Sequence, residues 1–206
     1  GPISKKYFLS GKFKGITEYL SHKTNKHGNE VMLIYNKFLS VSPITTHIAL
    51  KDVPKKISTS IILKKIVSIN NFYKNKLKKI PRFAVTGLNP HCESNFNNSE
   101  EDKIIKPAIK LAKNKKLKVE GPFAADTLFI KKNIKKFDVV IGMYHDQVLT
   151  PIKTLYSFNA INITLGLPFI RISPDHGPNN KMIGQKRSDP SSLREAFIFL
   201  RKINGN

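Results

Sequence analysis

The stretch that decides the fold is FDVVIGMYHDQVLTPIKTLYSFNAINITLGLPFIRISPD, Phe137 to Asp175. Its apolar run, Val139-Val140-Ile141-Gly142-Met143, predicts a buried strand. The strand delivers four polar-capable side chains in a row, Tyr144-His145-Asp146-Gln147. Open α/β sheets bind ligands beyond the carboxyl ends of their strands. A His-Asp pair in that place can hold a metal or move a proton. The same residue types also suit a surface loop behind a core strand.

Working outward, two segments repeat the pattern. Arg82 to Thr86 predicts a strand that leads into Gly87-Leu88-Asn89-Pro90-His91. Ser42-Pro43-Ile44-Thr45-Thr46 leads, more weakly, to His47. Imidazole is the commonest metal ligand among side chains, and three protein ligands with an open position form the usual catalytic arrangement. These three histidines lie far apart in sequence, so only the fold can bring them together.

Composition narrows the classes. With 206 residues, 40% of them hydrophobic, the chain can build one good core or two small domains. No apolar run approaches the ~20 residues of a membrane span, and Gly1-Pro2-Ile3-Ser4-Lys5-Lys6 is not followed by the apolar segment of a signal peptide. The single Cys92 cannot form an internal disulfide, which fits a reducing cytoplasm. A net charge of +22 raises the question of nucleic acid. The lysines come in pairs spread from Lys5-Lys6 to Lys135-Lys136, however, which reads as a solvated basic surface and not a nucleic-acid stripe. Such a field favours approach of phosphorylated small molecules.

Along the rest of the chain, Thr17 with Tyr19-Leu20 begins a helix. His22 and His27, near the turn signal Gly28, belong on the surface. Val31 to Leu39 predicts one strand. A helix is expected from Asp52 through Ile61, Ile62, Lys65, Ile66, Ile69 and Tyr73, with one apolar face. Pro90 stiffens the Gly87 to Ser94 loop before His91, and Cys92 reads as a small packing residue. Glu100-Glu101-Asp102 suit the positive end of a helix that runs from Lys103 to about Asn114. Asp126-Thr127 can cap a short helix, or Asp126 can orient a ligand histidine. Ser191 to Ile203 predicts a terminal helix with Leu193, Ala196, Phe197 and Leu200 on one face. No internal repeat or interdomain linker is visible.

Five blocks, GLNPHCES, GPFAADTLF, MYHDQVLTPIK, NITLGLPFIR and SPDHG, resemble in order those of the 4-hydroxythreonine-4-phosphate dehydrogenase family of pyridoxal phosphate biosynthesis. The resemblance covers the chain from about Gly1 to Ala196. It implies an α/β fold, a three-layer α/β/α sandwich like that of isocitrate and isopropylmalate dehydrogenases, here incomplete. Family members carry a further domain-sized N-terminal segment, so residues 1–206 are expected to be the C-terminal part of a two-domain dehydrogenase. On its own such a chain is expected to be poorly soluble and weakly active.

The implied reaction is oxidation, with decarboxylation, of 4-phosphohydroxy-L-threonine, using NAD and a divalent metal (Zn, Mg or Co). The resemblance places metal ligands at His47, His91 and His145, and substrate contacts at Thr17, Lys153, Asn162 and Arg171. Asp146 and Lys153 are the implied catalytic residues, and Asp175, His176 and Gly177 the implied cofactor loop. The implied assembly is a cytoplasmic homodimer whose shared active site takes ligands from both subunits. Within one copy His47 and His91 are expected as neighbours, with His145 at a separate face. Lys153, Asn162 and Arg171 are expected to line one cleft. The sequence departs from the family at Ile16, where the family has histidine, and after Gly177. A different four-carbon sugar-acid phosphate (erythronate or threonate phosphate) therefore stays open as substrate, as does a non-catalytic remnant that binds metal or phosphate only.

Overall fold

The computed structural model describes residues 13, 15–92, 98–175, 184–185 and 189–205. In chain order its first elements are α1 (Ile16–Lys23), β1 (Val31–Tyr35), β2 (Ser40–Pro43), α2 (Val53–Lys56), α3 (Thr59–Leu77) and β3 (Arg82–Thr86). There follow α4 (Lys106–Asn114), β4 (Lys118–Phe123), α5 (Ala125–Leu128), α6 (Lys131–Ile134), β5 (Val139–Gly142), α7 (His145–Tyr156), β6 (Ile161–Leu165), β7 (Arg171–Pro174) and α8 (Ser191–Ile203). Contacts divide the chain into two units, one made of Gly1–Asn36 with Tyr156–Asn206, the other of Lys37–Leu155. Strands alternating with helices make this an α/β fold.

The Lys37–Leu155 unit holds four strands in the order β4-β3-β5-β2, all parallel. Every residue of β2 and β5 is buried, as are Phe83 to Thr86 of β3. Strands covered on both faces read as continuous apolar runs, which is why Val139-Val140-Ile141 was legible. Helix α3 buries Ile62, Ile66 and Ile69 at 3–4 residue spacing. Its start is set by Ser58, whose hydroxyl accepts from the Ile61 N–H at 3.3 Å. Asp138 ties strand ends together. Its carboxylate accepts from Lys79 Nζ at 2.7 Å, the Arg82 N–H at 2.8 Å and Arg82 Nε at 3.4 Å. Burial pushes the Asp138 pKa up, but the bonds from Lys79 and Arg82 outweigh it and hold it below the ordinary carboxylate value.

In the other unit β1, β6 and β7 form an antiparallel run, with Val31 opposite Leu165 and Thr164 opposite Arg171. The turn after β6 needs glycine. Gly166 has φ +83°, and a Cβ there would lie 2.0 Å from the Asn29 carbonyl oxygen. Helix α8 is anchored by Phe199 against Tyr35, ring centroids 4.6 Å apart, and by Ser192. The Ser192 hydroxyl donates to the Ala160 carbonyl at 2.6 Å and accepts from the Asp175 N–H at 2.8 Å.

Several local expectations change. Val31 to Leu39 is not one strand: β1 ends at Tyr35, residues 36–39 belong to no strand, and β2 begins only at Ser40, while the Asn36 side chain donates to the Asn159 carbonyl. The helix expected from Asp52 breaks at Ile57, which is extended with ψ 146°, and α3 starts afresh behind the Ser58 cap. The acidic helix start adopts a π-helical turn, Glu101–Ile105, before α4. Ala124, not Asp126, precedes α5. Asp126 instead accepts from the Thr127 N–H at 2.7 Å and is exposed. On α8 the buried residues are Ser192, Ala196 and Phe199, while Leu193 and Phe197 are exposed. Only Ala196 of the expected face is in the core, because the helix turns its small hydroxyl residue toward the backbone groups that need it. His22 and His27 are exposed as expected.

Candidate active site

Parallel strands point their carboxyl ends the same way, so the loops after β2, β3 and β5 all leave one edge of the four-stranded sheet. His47 follows β2, His91 follows β3 and His145 opens α7 after β5. In strand order β5 lies between β3 and β2, which puts the His145 segment between the other two. The His47 and His145 rings accordingly lie near each other, with centroids 6.1 Å apart. This corrects the expectation that His145 sits at a separate face. The chain adds β5 last of the four, yet inserts it in the middle. Among the described residues, no three His, Cys, Asp or Glu side chains group closely enough to hold a metal ion.

Each histidine loop has its own fastening. The β2–β5 ladder continues past the strands: the Ile44 N–H donates to the Gly142 carbonyl at 2.7 Å, and Thr45 Oγ1 to the Met143 carbonyl at 2.8 Å. Lys65 reaches from α3 to the carbonyls of Pro43 and Ile44, at 3.3 and 2.8 Å. After β3 the fastening is Glu101, fully buried. Its Oε1 accepts from the Leu88 and Asn89 N–H groups at 2.7 and 2.8 Å, and its Oε2 from Asn89 Nδ2 at 2.9 Å. Burial pushes the Glu101 pKa up, and the Asn89 and Leu88 hydrogen bonds more than reverse it, leaving it below the ordinary value. No pattern in the acidic triplet distinguishes Glu101 from its neighbours, so its role was not readable from sequence.

His91 and Cys92 both have φ 57°, a conformation that costs non-glycine residues energy and that clusters at functional sites. Cys92 is half-buried, and burial raises its thiol pKa. A Cβ on Gly87 would lie 2.7 Å from Cys92 Sγ, so the thiol packs against the loop, as a small packing residue does.

His145 Nδ1 lies 2.6 Å from Asp146 Oδ1. An ionised carboxylate only accepts, so Nδ1 carries the proton and Nε2 presents the lone pair. With His145 36% and Asp146 81% exposed, this pair contributes little to stability. It sets a tautomer, and that tautomer fits metal ligation through Nε2. Asp146 also stands in the first turn of α7, where a carboxylate suits the macrodipole. Lys153 lies seven residues on, two turns along the same helical stripe.

The implied substrate residues divide between the units. Lys153 belongs to Lys37–Leu155, and Thr17, Asn162 and Arg171 belong to the other. Thr17 lies in the first turn of α1. Asn162 pairs with Ser173, and Thr164 with Arg171, so these four side chains share one sheet face. Among the described residues, buried Asn162 Oδ1 has no hydrogen-bond partner. Arg171 donates through Nη1 to Thr164 Oγ1 at 3.2 Å. Burial lowers its guanidinium pKa and the Glu18 carboxylate raises it again, and the group stays cationic. Asp175 is buried, with its N–H on Ser192 as described, which fixes the root of the implied cofactor loop. His176 and Gly177 lie outside the described residues.

A parallel α/β sheet carrying three histidine loops on its carboxyl edge defines the class: an α/β protein with its candidate site at the strand ends. Comparison narrows this. The family model described as Pyridoxal phosphate biosynthetic protein PdxA matches residues 1–199. The chain belongs to that family. It is 43% identical over 209 residues to the 4-hydroxythreonine-4-phosphate dehydrogenase of Sulfurihydrogenibium sp., a match that covers 98% of this chain and 64% of the relative. The protein of that name from Aquifex aeolicus is 41% identical, with 98% and 63% covered. The crystal structure of the Klebsiella pneumoniae 4-hydroxythreonine-4-phosphate dehydrogenase superposes with TM-score 0.82 at 33% identity, over 98% of this chain and 63% of that one. The chain thus spans somewhat less than two thirds of these relatives. A terephthalate 1,2-cis-dihydrodiol dehydrogenase from Burkholderia xenovorans, 20% identical with TM-score 0.74, shares the fold. Among the described residues no helix is long and apolar enough to cross a membrane.

Proposed function

We propose that this chain supplies the metal- and substrate-binding part of a 4-hydroxythreonine-4-phosphate dehydrogenase, acting in the cytoplasm as a homodimer. The observation that carries the reading is the edge of the parallel sheet, where His47, His91 and His145 leave three neighbouring strands and Asp146 prepares the His145 tautomer. His47, His91 and His145, contributed from both copies of the dimer, would hold the metal. Asp175, His176 and Gly177 would meet NAD. When bound, the metal (Zn, Mg or Co) supplies Lewis-acid polarisation of the substrate hydroxyl, and NAD supplies a hydride acceptor.

The chain's own residues do the rest. Arg171 offers a planar, permanently charged fork to phosphate or carboxylate. Asn162 Oδ1 accepts from a substrate hydroxyl or ammonium group, which satisfies its buried lone pairs. Lys153 adds a cationic donor, and Thr17 a hydroxyl. Asp146 keeps the Nδ1 proton of His145 in place. Ile16, half-buried at the start of α1, cannot donate a hydrogen bond where the family has histidine. That observation favours, as second reading, a related four-carbon sugar-acid phosphate as substrate.

Titration calorimetry tests the reading. 4-phosphohydroxy-L-threonine should bind the purified protein only with Co2+ present, and more tightly than erythronate phosphate. NADH absorbance reads turnover in parallel. Substrate binding that ignores the metal would sink the proposal, and a preference for erythronate phosphate would select the second reading.

A further inference from the structure

Gln147 belongs to the sequence block that contains His145, yet its side chain, unlike that of the exposed Asp146 before it, turns inward. It is buried and makes three hydrogen bonds to two separate pieces of chain. Its Oε1 accepts from the Met143 N–H, at the end of β5, at 2.7 Å. The same oxygen accepts from Thr86 Oγ1, the last residue of β3, at 2.8 Å. Its Nε2 donates to the Gly87 carbonyl, the first residue of the His91 loop, at 2.8 Å. A backbone donor and a backbone acceptor thus fix which way round the amide sits. No other side chain of this size has one donor and one acceptor in that geometry. Space is reserved for it as well. A Cβ on Gly142 would lie 3.2 Å from Gln147 Oε1 and 2.4 Å from Val148 Cγ1.

We infer that Gln147 is a positioning residue for the metal ligands: it locks the root of the His91 loop to the first turn of the His145 helix, so that two ligands from different strands keep a fixed separation. The role rests on the metal reading proposed above. A ligand set drawn from three loops has no local covalent reason to hold its geometry, and small displacements of ligands weaken metal binding steeply. Groups behind metal ligands typically change affinity 10–100-fold when removed. Gln147 is placed to act on two ligands together, since it sits two residues after His145 and only three residues separate its Gly87 contact from His91.

The test uses the full chain, Co2+ alone as probe, and two readouts. Gln147→Met keeps the volume and removes all three hydrogen bonds. It should weaken Co2+ binding about 10–100-fold and, without metal, speed amide exchange at Leu88, Asn89 and His91. Phe199→Leu, a core change on α8 in the unit that holds none of the three histidines, serves as the control for lost stability. It should lower Tm while leaving Co2+ affinity as in wild type. Thr86→Val removes one bond of the three. It should weaken Co2+ binding in the same direction but less, and it gives a reading even if Gln147→Met does not fold. Wild-type Co2+ affinity in the folded Gln147 and Thr86 variants would overturn this role alone, as would equal losses in the Phe199 control. Absence of Co2+ binding by the wild-type chain would instead overturn the metal reading, and this role with it.

Discussion

Replacing Glu101 should unfasten the His91 loop, and the cost can be worked from its bonds. The carboxylate is fully buried and accepts from two backbone N–H groups through one oxygen and from Asn89 Nδ2 through the other. Glu101→Leu strands both backbone donors. An unsatisfied buried N–H costs about 1–3 kcal/mol, so the variant should lose roughly 2–6 kcal/mol. Glu101→Gln keeps an oxygen for both backbone donors but turns an NH2 toward the Asn89 amide and loses the charge. It should lose only about 1–2 kcal/mol. The pH dependence has a definite sign. The folded-state pKa of Glu101 lies below its ordinary value, so the unfolded chain takes up the proton first. The stability Glu101 contributes is therefore complete at neutral pH and is lost as pH falls through the folded value. Urea unfolding of the wild type and both variants at neutral and acid pH measures all of this. A Glu101→Leu loss below about 0.5 kcal/mol, the range of ordinary surface changes, would refute the clamp. So would a wild-type advantage over Glu101→Gln that is unchanged in acid.

Asp138→Asn removes the charge that joins Lys79 and Arg82, and should destabilise by about 1–3 kcal/mol, an effect that also fades as pH falls, since the folded Asp138 pKa is depressed. Urea midpoints across pH check it. Gly166→Ala places a Cβ against the Asn29 carbonyl at positive φ and should cost at least about 1–3 kcal/mol, read as a lower Tm. Arg171→Ala should weaken binding of a phosphorylated ligand by about 1.5–3 kcal/mol in calorimetry. Arg171→Lys should weaken it too, because lysine lacks the planar fork.

The amino-acid sequence alone determined the strands that are buried on both faces. Val139 to Gly142 and Arg82 to Thr86 stand where their apolar runs place them, since a strand covered on both sides favours apolar residues at its centre. It singled out the candidate histidines as well, because each follows a short apolar or β-branched run, His47 the most weakly, and it placed the last helix, Ser191–Ile203. It did not determine which face of that helix is buried: Leu193 and Phe197 are exposed while Ser192 is in the core, since backbone partners at Ala160 and Asp175 decided the rotation. Nor did it determine which histidine lies beside which. That follows from strand order, and order depends on pairings between segments up to a hundred residues apart, which no local pattern encodes. The fastenings of the site are tertiary for the same reason. Glu101, Gln147 and Lys65 are an ordinary acid, amide and base in the sequence. Glu101 and Gln147 are buried and Lys65 half-buried against backbone groups of the loops, and that placement makes them structural, because a polar group withdrawn from water must find a partner.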